Sequence, residues 1–459
     1  MHNGEHEFTA GPLPTHQDVA RDVLGRFQDL GHRYWGWVTV LAFLFLLGIV
    51  GFIIRLSEGF NDENRANWGY FVATLAFIVT TFTAMPVISA GLRLAKANWR
   101  RPLTRVTENM AITGLLVVLM LIPALIALPS IDGRLSIWFE FPLGAPGVWD
   151  VIGYGTLAFI GLALLWGVAL PDLAAARDHL PNSTRQRVIG WLSLGWVGGV
   201  RQWRVLYQGS LLAGAMYLLT YPLVQTLMIS DFHHGLIPGL KDAIIPATVV
   251  VNGLQGAVGM TLLTMYLMRR LGNYEKYFSV EQFWALSKPL LSFSLLWFYF
   301  WWASFITFWY GRQPGESEVI RLLVLDEYRG ALMISFFLNF IGPLIALVWN
   351  PVRRSVWGPA LVGTGVVIGA LVNQVRLYVS AFSVADPSQH VLHPRPATQW
   401  PEAPDLLIIV GAISGCVLLF MLVSKIIPVV SIWEIGEGLR LVKVRRYLNR
   451  YARVIAKSH

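Results

Sequence analysis

The stretch "SDFHHGLIPGLKD", residues 230–242, places two adjacent histidines, two aspartates and a lysine between long apolar runs. Imidazoles titrate near neutral pH and ligate metals, and carboxylates accept protons, so such a cluster suits a metal site, a proton-handling pocket or a polar loop. Consecutive histidines point in different directions in most backbone conformations, which fits a shared metal ion poorly. For His233 and His234 the favoured role is an interfacial loop, with direct contact to a ligand or substrate as the other. The ten histidines fall at positions 2, 6, 16, 32, 179, 233, 234, 390, 393 and 459, none of them midway along an apolar run. A b-type haem needs axial histidines inside spanning helices, so this chain is not expected to hold haem. Its single cysteine, Cys416, rules out an internal disulfide and any cysteine-ligated iron–sulfur cluster or zinc finger. No metal ligands are assigned, and redox centres are expected on partners.

Ionisable groups near the ends of apolar runs say more, because an unpaired ion inside a bilayer costs at least about 2.5–3.5 kcal/mol. Asp150, Asp231, Asp242 and Arg376 fall near such ends, at one expected depth. Together they could line a pocket that binds a polar head group and moves protons. The alternative is that they are solvated helix ends, with Asp150 and Asp242 stabilised by the helix dipole. Arg376, beside Asn373 and Gln374, ranks first among the basic candidates because a guanidinium cannot shed its charge. Asn252 and Gln255 lie three apart on one helix face and suit interhelical hydrogen bonds or the site itself. The run "LWFYFWWASFITFWYG" reads as an interfacial aromatic belt, although an aromatic wall for an isoprenoid quinone would look the same.

These residues need elements to hold them. The chain has 459 residues, 55% hydrophobic and 14% charged, and its mean hydropathy of +0.54 marks a membrane protein. A bilayer core of roughly 30 Å takes about 20 apolar residues as helix. Ten stretches qualify, at 35–56, 68–94, 109–130, 150–171, 207–229, 242–268, 282–310, 328–349, 357–381 and 405–427. The expected fold is all-α and polytopic, with a polar segment at 1–34, a ten-helix domain at 35–427 and a basic tail at 428–459. Helices two to five and six to nine would form two four-helix bundles, flanked by the outer two. Thr80, Thr81, Thr83, Pro86 and Pro123 read as helix-packing features.

Charge orients the spans. "RLAKANWRRPLTR", "ARDHLPNSTRQR", "MRRLGNYEKY", "NPVRR" and the tail all fall on one side, which is then cytoplasmic together with both termini. "SEGFNDEN", "GESEVIRLLVLDE" and the opening stretch face the other side. The net charge of +9 comes largely from these short connections, so nucleic acid is not an expected partner. The amino terminus lacks the basic-then-apolar order of a secretory signal.

Several stretches together resemble one family. "NWRRPLTRVTENM" enters helix three, "WD" at 149–150 opens helix four and "LPDLAAARD" closes it. "LGWVG" at 194–198, "SDF" and "IPG" in the opening stretch, "FWYGRQPGE" and "KIIPVVSIWEI" follow in order. The chain resembles the NrfD or polysulfide-reductase membrane subunits over about residues 68 to 437. It is most similar to the larger ten-helix quinol-oxidising subunit of alternative complex III.

The resemblance implies a multi-pass subunit of a bacterial cytoplasmic membrane, without redox centres or catalysis of its own. It would bind quinone, menaquinone or ubiquinone, near the extracytoplasmic face and exchange electrons with a docked ferredoxin-like iron–sulfur subunit. A molybdopterin-family subunit, cytochrome subunits and a second NrfD-like subunit are the further partners implied. Asp150 and Asp231 match family aspartates and Arg376 a family arginine. Family histidines fall at Ile126, Thr83, Gln225 and Lys241 here, and isoleucine cannot accept a quinol proton as histidine can. The preferred account makes Asp150 or Asp231 the base, assisted by His234 or Lys241, with Arg376, Asp242 and Gln255 completing the quinone site. A membrane anchor without its own quinone site and a secondary transporter are the rivals. A transporter would hold its polar cluster near the midplane in broken helices.

Overall fold

The structure is a computed structural model and describes residues 15–28, 31–130, 133–134, 147–447 and 450–455. Of the expected amino-terminal segment, residues 1–14 and 29–30 lie outside the described residues, as do 456–459 of the tail. The described chain is helical apart from one terminal hairpin, and ten of its helices are long and apolar enough to cross a membrane. They are His32–Glu58, Asp62–Leu94, Asn98–Ile126, Gly147–His179, Val200–Leu236, Ile245–Leu271, Val280–Gly311, Arg329–Val348, Trp357–Phe382 and Ala403–Ser424, numbered here as spans one to ten. Each coincides with an expected stretch. The ends differ: span three begins at Asn98 rather than 109, and span six begins at Ile245, which leaves Asp242 in the preceding connection.

Spans one and ten pair along their length because both are glycine-notched. A Cβ on Gly48 would come 2.6 Å from the Cα of Gly411, a backbone approach that a larger residue would prevent. Arg55 locks the far end of this pair, donating to both carboxylate oxygens of Asp405 at 3.1 and 2.8 Å. Spans two to five pack on one another, as do spans six to nine, and span two joins the groups by packing on spans six and nine. Span two is enclosed by protein throughout its apolar window. It is also broken: Gly69–Thr81 and Met85–Leu94 are separate helices, with Pro86 in the first turn of the second, where its ring and missing N–H interrupt the ladder. Spans eight and nine carry wide turns at Phe337–Ile341 and Val375–Val379, a bulge common at functional positions.

The basic connection "RLAKANWRRPLTR" carries arginines that are held in ion pairs. Arg93 donates to Glu108 at 2.6 Å and to Glu434 at 2.7 Å, while Arg100 reaches the other Glu434 oxygen at 2.6 Å. Arg105 donates to Asp172 at 2.7 Å and to the Val168 carbonyl at 2.8 Å. Asp172 in turn accepts the backbone N–H groups of Ile432 and Trp433 at 3.0 and 3.3 Å. Charge count alone exposes this segment; the three carboxylates that compensate it come from spans three and four and from beyond span ten. The tail is accordingly not a loose basic extension. Its helix Ile432–Leu441 is docked, and an antiparallel hairpin follows, pairing Val442 with Ile455 through Tyr447 with Arg450.

Burial opposes the charge of Glu434, yet Arg100, Arg93 and Arg105 outweigh it and hold this carboxyl below its ordinary value of 4.5. Its stabilising contribution is therefore present at neutral pH and lost only as the pH falls below that ordinary value through the lowered one. Glu434→Gln removes the carboxylate and leaves two buried guanidiniums undercompensated, at a cost of about 3–5 kcal/mol. The expected outcome is a lower melting temperature in detergent and faster proteolysis after residue 431. A melting curve unchanged from the native protein would contradict this.

Candidate functional site

Span five turns at His233 into the short helix His234–Leu236, and the chain continues through Ile237, Pro238, Gly239 and Leu240, all buried. A connection this enclosed is uncommon, since loop backbone normally needs water. Gly239 permits it. Its φ is +80°, and an added Cβ would overlap the carbonyl oxygen of Gly315 in the connection after span seven. Only glycine meets both conditions without strain.

Beside this loop lies a cavity of about 70 Å³. Trp297, Trp301, Phe305 and Phe308 of span seven form one wall, and Val319, Ile320 and Leu323 of the following segment another. The Trp301 and Phe305 rings stack with centroids 5.6 Å apart and planes 5° from parallel. The polar groups in its lining are Asp242, Ser304, Thr248, Asn373 and Arg376. Asp242 accepts the Ser304 hydroxyl and the Ile244 N–H. Arg376 lies in the wide turn of span nine, buried, and donates to Asn373 Oδ1 through Nε at 3.3 Å and Nη2 at 3.0 Å, and to the Leu323 carbonyl at 3.3 Å. Three of its five N–H donors are thus used, and no carboxylate among the described residues pairs with it.

The His233 and His234 imidazoles lie nearly parallel, 6.0 Å apart, and the His233 ring is 6.2 Å from that of Tyr378. His233 is fully buried. Asp242 acts electrostatically on His234, and Arg376 on His233. Asp231 and Asp150 are also buried, and Arg134 donates to the Asp231 carbonyl at 3.0 Å. Burial draws the Arg134 guanidinium below its ordinary pKa while Asp231 and Asp150 oppose the shift, so the three groups share one electrostatic neighbourhood. Neither Asp150 oxygen has a hydrogen-bond partner among the described residues. Asp242 and Arg376 thus link the cavity electrostatically to the two imidazoles, while Asp150, Asp231 and Arg134 form a buried group of their own. Such groups can bind a flat amphipathic ring and exchange a proton with it.

A chain of neutral polar groups leads away from the cavity into the membrane interior. Asn373 donates to Asn252 and Asn252 to Gln255, each at 3.4 Å, and Gln255 donates to Ser294 at 2.8 Å and to the Asn339 carbonyl at 2.6 Å. A second set joins Gln374, Thr80, Gln225 and Tyr221 at the break in span two.

The sequence candidates thus separate into three places. Asp242 and Arg376 line the cavity, Asp150 and Asp231 are buried outside its lining, and Gln255 is reached from Arg376 through two asparagines. His233 and His234 lie at the turn that ends span five, the first fully and the second partly buried. Lys241 is exposed and does not line this cavity. Ile126 is exposed as well, at the end of span three. Within the aromatic run, Trp297, Trp301 and Phe305 line the cavity, while Tyr299, Trp309 and Tyr310 are exposed. Arg134 and Tyr378 escape a sequence reading; the one available signal for Arg134 is that no other lysine or arginine occurs between Arg105 and Arg177. Among the described residues no three His, Cys, Asp or Glu side chains gather as metal ligands. No family model matches the chain, and no curated protein matches it.

Gly239→Ala should displace the buried loop, because both the left-handed backbone and the Gly315 contact oppose a side chain. The expected outcome is labelling of a cysteine placed at Leu240, a buried position in the native fold. A Leu240→Cys thiol equally unreactive with glycine or alanine at 239 would contradict the role given to that contact.

Proposed function

We propose that the chain is a quinone- or quinol-interacting membrane subunit of a respiratory or photosynthetic oxidoreductase complex. The observation that carries the reading is Arg376, a buried guanidinium without a carboxylate partner, in the lining of an aromatic-walled cavity. A cation in that position favours a ligand with acceptor oxygens, and aromatic walls favour a flat ring. The residues present fit such a group: two Arg376 N–H donors remain, Asp242 and Ser304 offer acceptor and hydroxyl, and the cavity is otherwise apolar. A quinone, when bound, supplies a two-electron, two-proton couple. Arg376 would orient its oxygens, His234 would exchange a proton at an imidazole nitrogen, and Asp231 and Asp150 are the proposed final acceptors. Lys241 has no part in this arrangement.

The electrons would pass to or from a docked extracytoplasmic iron–sulfur subunit of a bacterial cytoplasmic membrane complex. The packing of spans two to five and six to nine supports two four-helix bundles flanked by spans one and ten. Both terminal segments would be cytoplasmic. The helix His16–Gln28 packs on Ile432–Leu441, and Arg26 donates to Gly272 and Asn273 in the basic connection between spans six and seven.

A second reading has its own observation. The break in span two and the wide turns in spans eight and nine adjoin amides buried in the membrane interior, a pattern that suits a transporter.

Arg376→Gln should weaken binding of a short-chain quinone to the protein in nanodiscs by tenfold or more, as befits a hydrogen bond from a charged donor. Asp150→Asn with Asp231→Asn should leave binding near native and lower quinol-dependent turnover of the purified complex by about 10²-fold. If no quinone binds saturably and turnover survives both changes, the protein is an anchor. Solute uptake by proteoliposomes holding this chain alone would favour transport instead.

A further inference from the structure

The connection between spans four and five is built inside out. From His179 to Ser230 the chain contains four arginines and no acidic residue. One of them is structural: Arg185 donates to the carbonyls of Lys425 and Phe27 and lies over the Phe27 ring at 4.0 Å. The other three, Arg187, Arg201 and Arg204, are exposed and make no hydrogen bond or ion pair among the described residues. Interleaved with them are Trp191, 76% exposed, Leu194, Val197, 82% exposed, and Val200.

This exposure is imposed by a rigid frame. Ser193 and Trp196 turn inward, and Trp196 packs edge-on against Trp203 with centroids 5.3 Å apart. Arg177 donates to the Ser193 hydroxyl at 3.3 Å and to the Trp196 carbonyl at 3.4 Å, and Trp166 donates to the Leu192 carbonyl at 3.0 Å. Leu194 takes a φ of +46°, a left-handed conformation that a bulky residue adopts only where its surroundings enforce it. The backbone is thus held so that leucine, valine and tryptophan side chains face out.

The outward stripe continues, through Val200 and Val205, into Leu212 and Leu219, the exposed face of span five. That face meets lipid in a spanning helix, so the connection lies where acyl chains give way to head groups. Apolar side chains there sit among acyl chains and glycerol, while arginines reach the phosphates. Three exposed arginines without an ion pair among the described residues fit a lipid that carries net negative charge. We propose that the connection between spans four and five is a binding site for anionic phospholipid, with Arg187, Arg201 and Arg204 on the head group and Trp191, Leu194 and Val197 in the bilayer. A protein partner fits less well, because the stripe has no boundary against the lipid-facing surface of span five.

The test uses the full chain in nanodiscs of phosphatidylcholine, with and without phosphatidylglycerol. Cys416 is fully buried, so Val197→Cys offers a single reactive thiol for an environment-sensitive fluorophore. The expected results are quenching by spin-labelled lipid chains and protection from aqueous iodide. Native mass spectrometry should show phosphatidylglycerol retained over phosphatidylcholine. The triple change of Arg187, Arg201 and Arg204 to Gln should weaken that preference by about a hundredfold, near fivefold per arginine. All three side chains are exposed, and an unchanged melting temperature checks that folding is intact. A fluorophore open to iodide would overturn the proposal and give the face to a protein partner. Unchanged lipid preference in the triple variant would overturn the role of the arginines.

Discussion

Six buried charges at one end of the helices hold the architecture together: Arg93, Arg100 and Arg105 against Glu108, Asp172 and Glu434. They balance in sign, and they come from spans two, three and four and from the helix after span ten. Desolvating each of these ions costs several kcal/mol, so the cluster is stable only when every member is in place. That requirement sets the packing of its contributors. It draws the chain beyond span ten back under span four, where Trp433 donates to the Val168 carbonyl at 3.0 Å and stacks edge-on with Trp203. Once this end is fixed, spans two to four run in defined directions toward the opposite end, where the cavity lies.

The opposite end depends on a different device. A loop of low charge is folded into the protein at Gly239 against Gly315, and its inward course gives His233 surroundings that a surface loop never has. Arg376 is held by an asparagine and a backbone carbonyl rather than by a carboxylate. One end of the molecule therefore neutralises its charges, and the other leaves charge and hydrogen-bonding capacity unspent. The second condition is the one a binding site requires.

The ten spans were legible because hydrophobic length is a strong signal and helices are the only economical way across a bilayer. Arg376 and Asp242 were legible as ions near helix ends, and the cavity brings them together. The grouping of the remaining candidates was not. Asp231, at the end of span five, is absent from the cavity lining while Asp242, eleven positions later, is part of it, because a buried turn intervenes. The histidines looked like loop residues since nothing in local composition reveals that a Gly–Gly contact will bury them. Lys241 looked equivalent to its neighbours and is exposed. The pairing of the basic segment around Arg93 to Arg105 was not legible either: its counter-ions are distant in sequence, and charge statistics see only neighbours.

Span two, enclosed on every side, has a consequence for biosynthesis. Its neighbours include spans five, six, nine and ten, which are made later. During synthesis this helix must therefore wait in lipid, carrying a row of threonines. It can do so because Thr74 and Thr81 donate to carbonyls of their own helix, at Tyr70 and Phe77, both at 2.7 Å. Those hydroxyls need no partner from a neighbouring span. The break after Thr81 is different, because Thr80 there becomes a shared acceptor for Gln225 and Gln374. Its amide partners are supplied only after spans five and nine have been inserted. The order of synthesis thus leaves the break in span two without these polar contacts until span nine is in place.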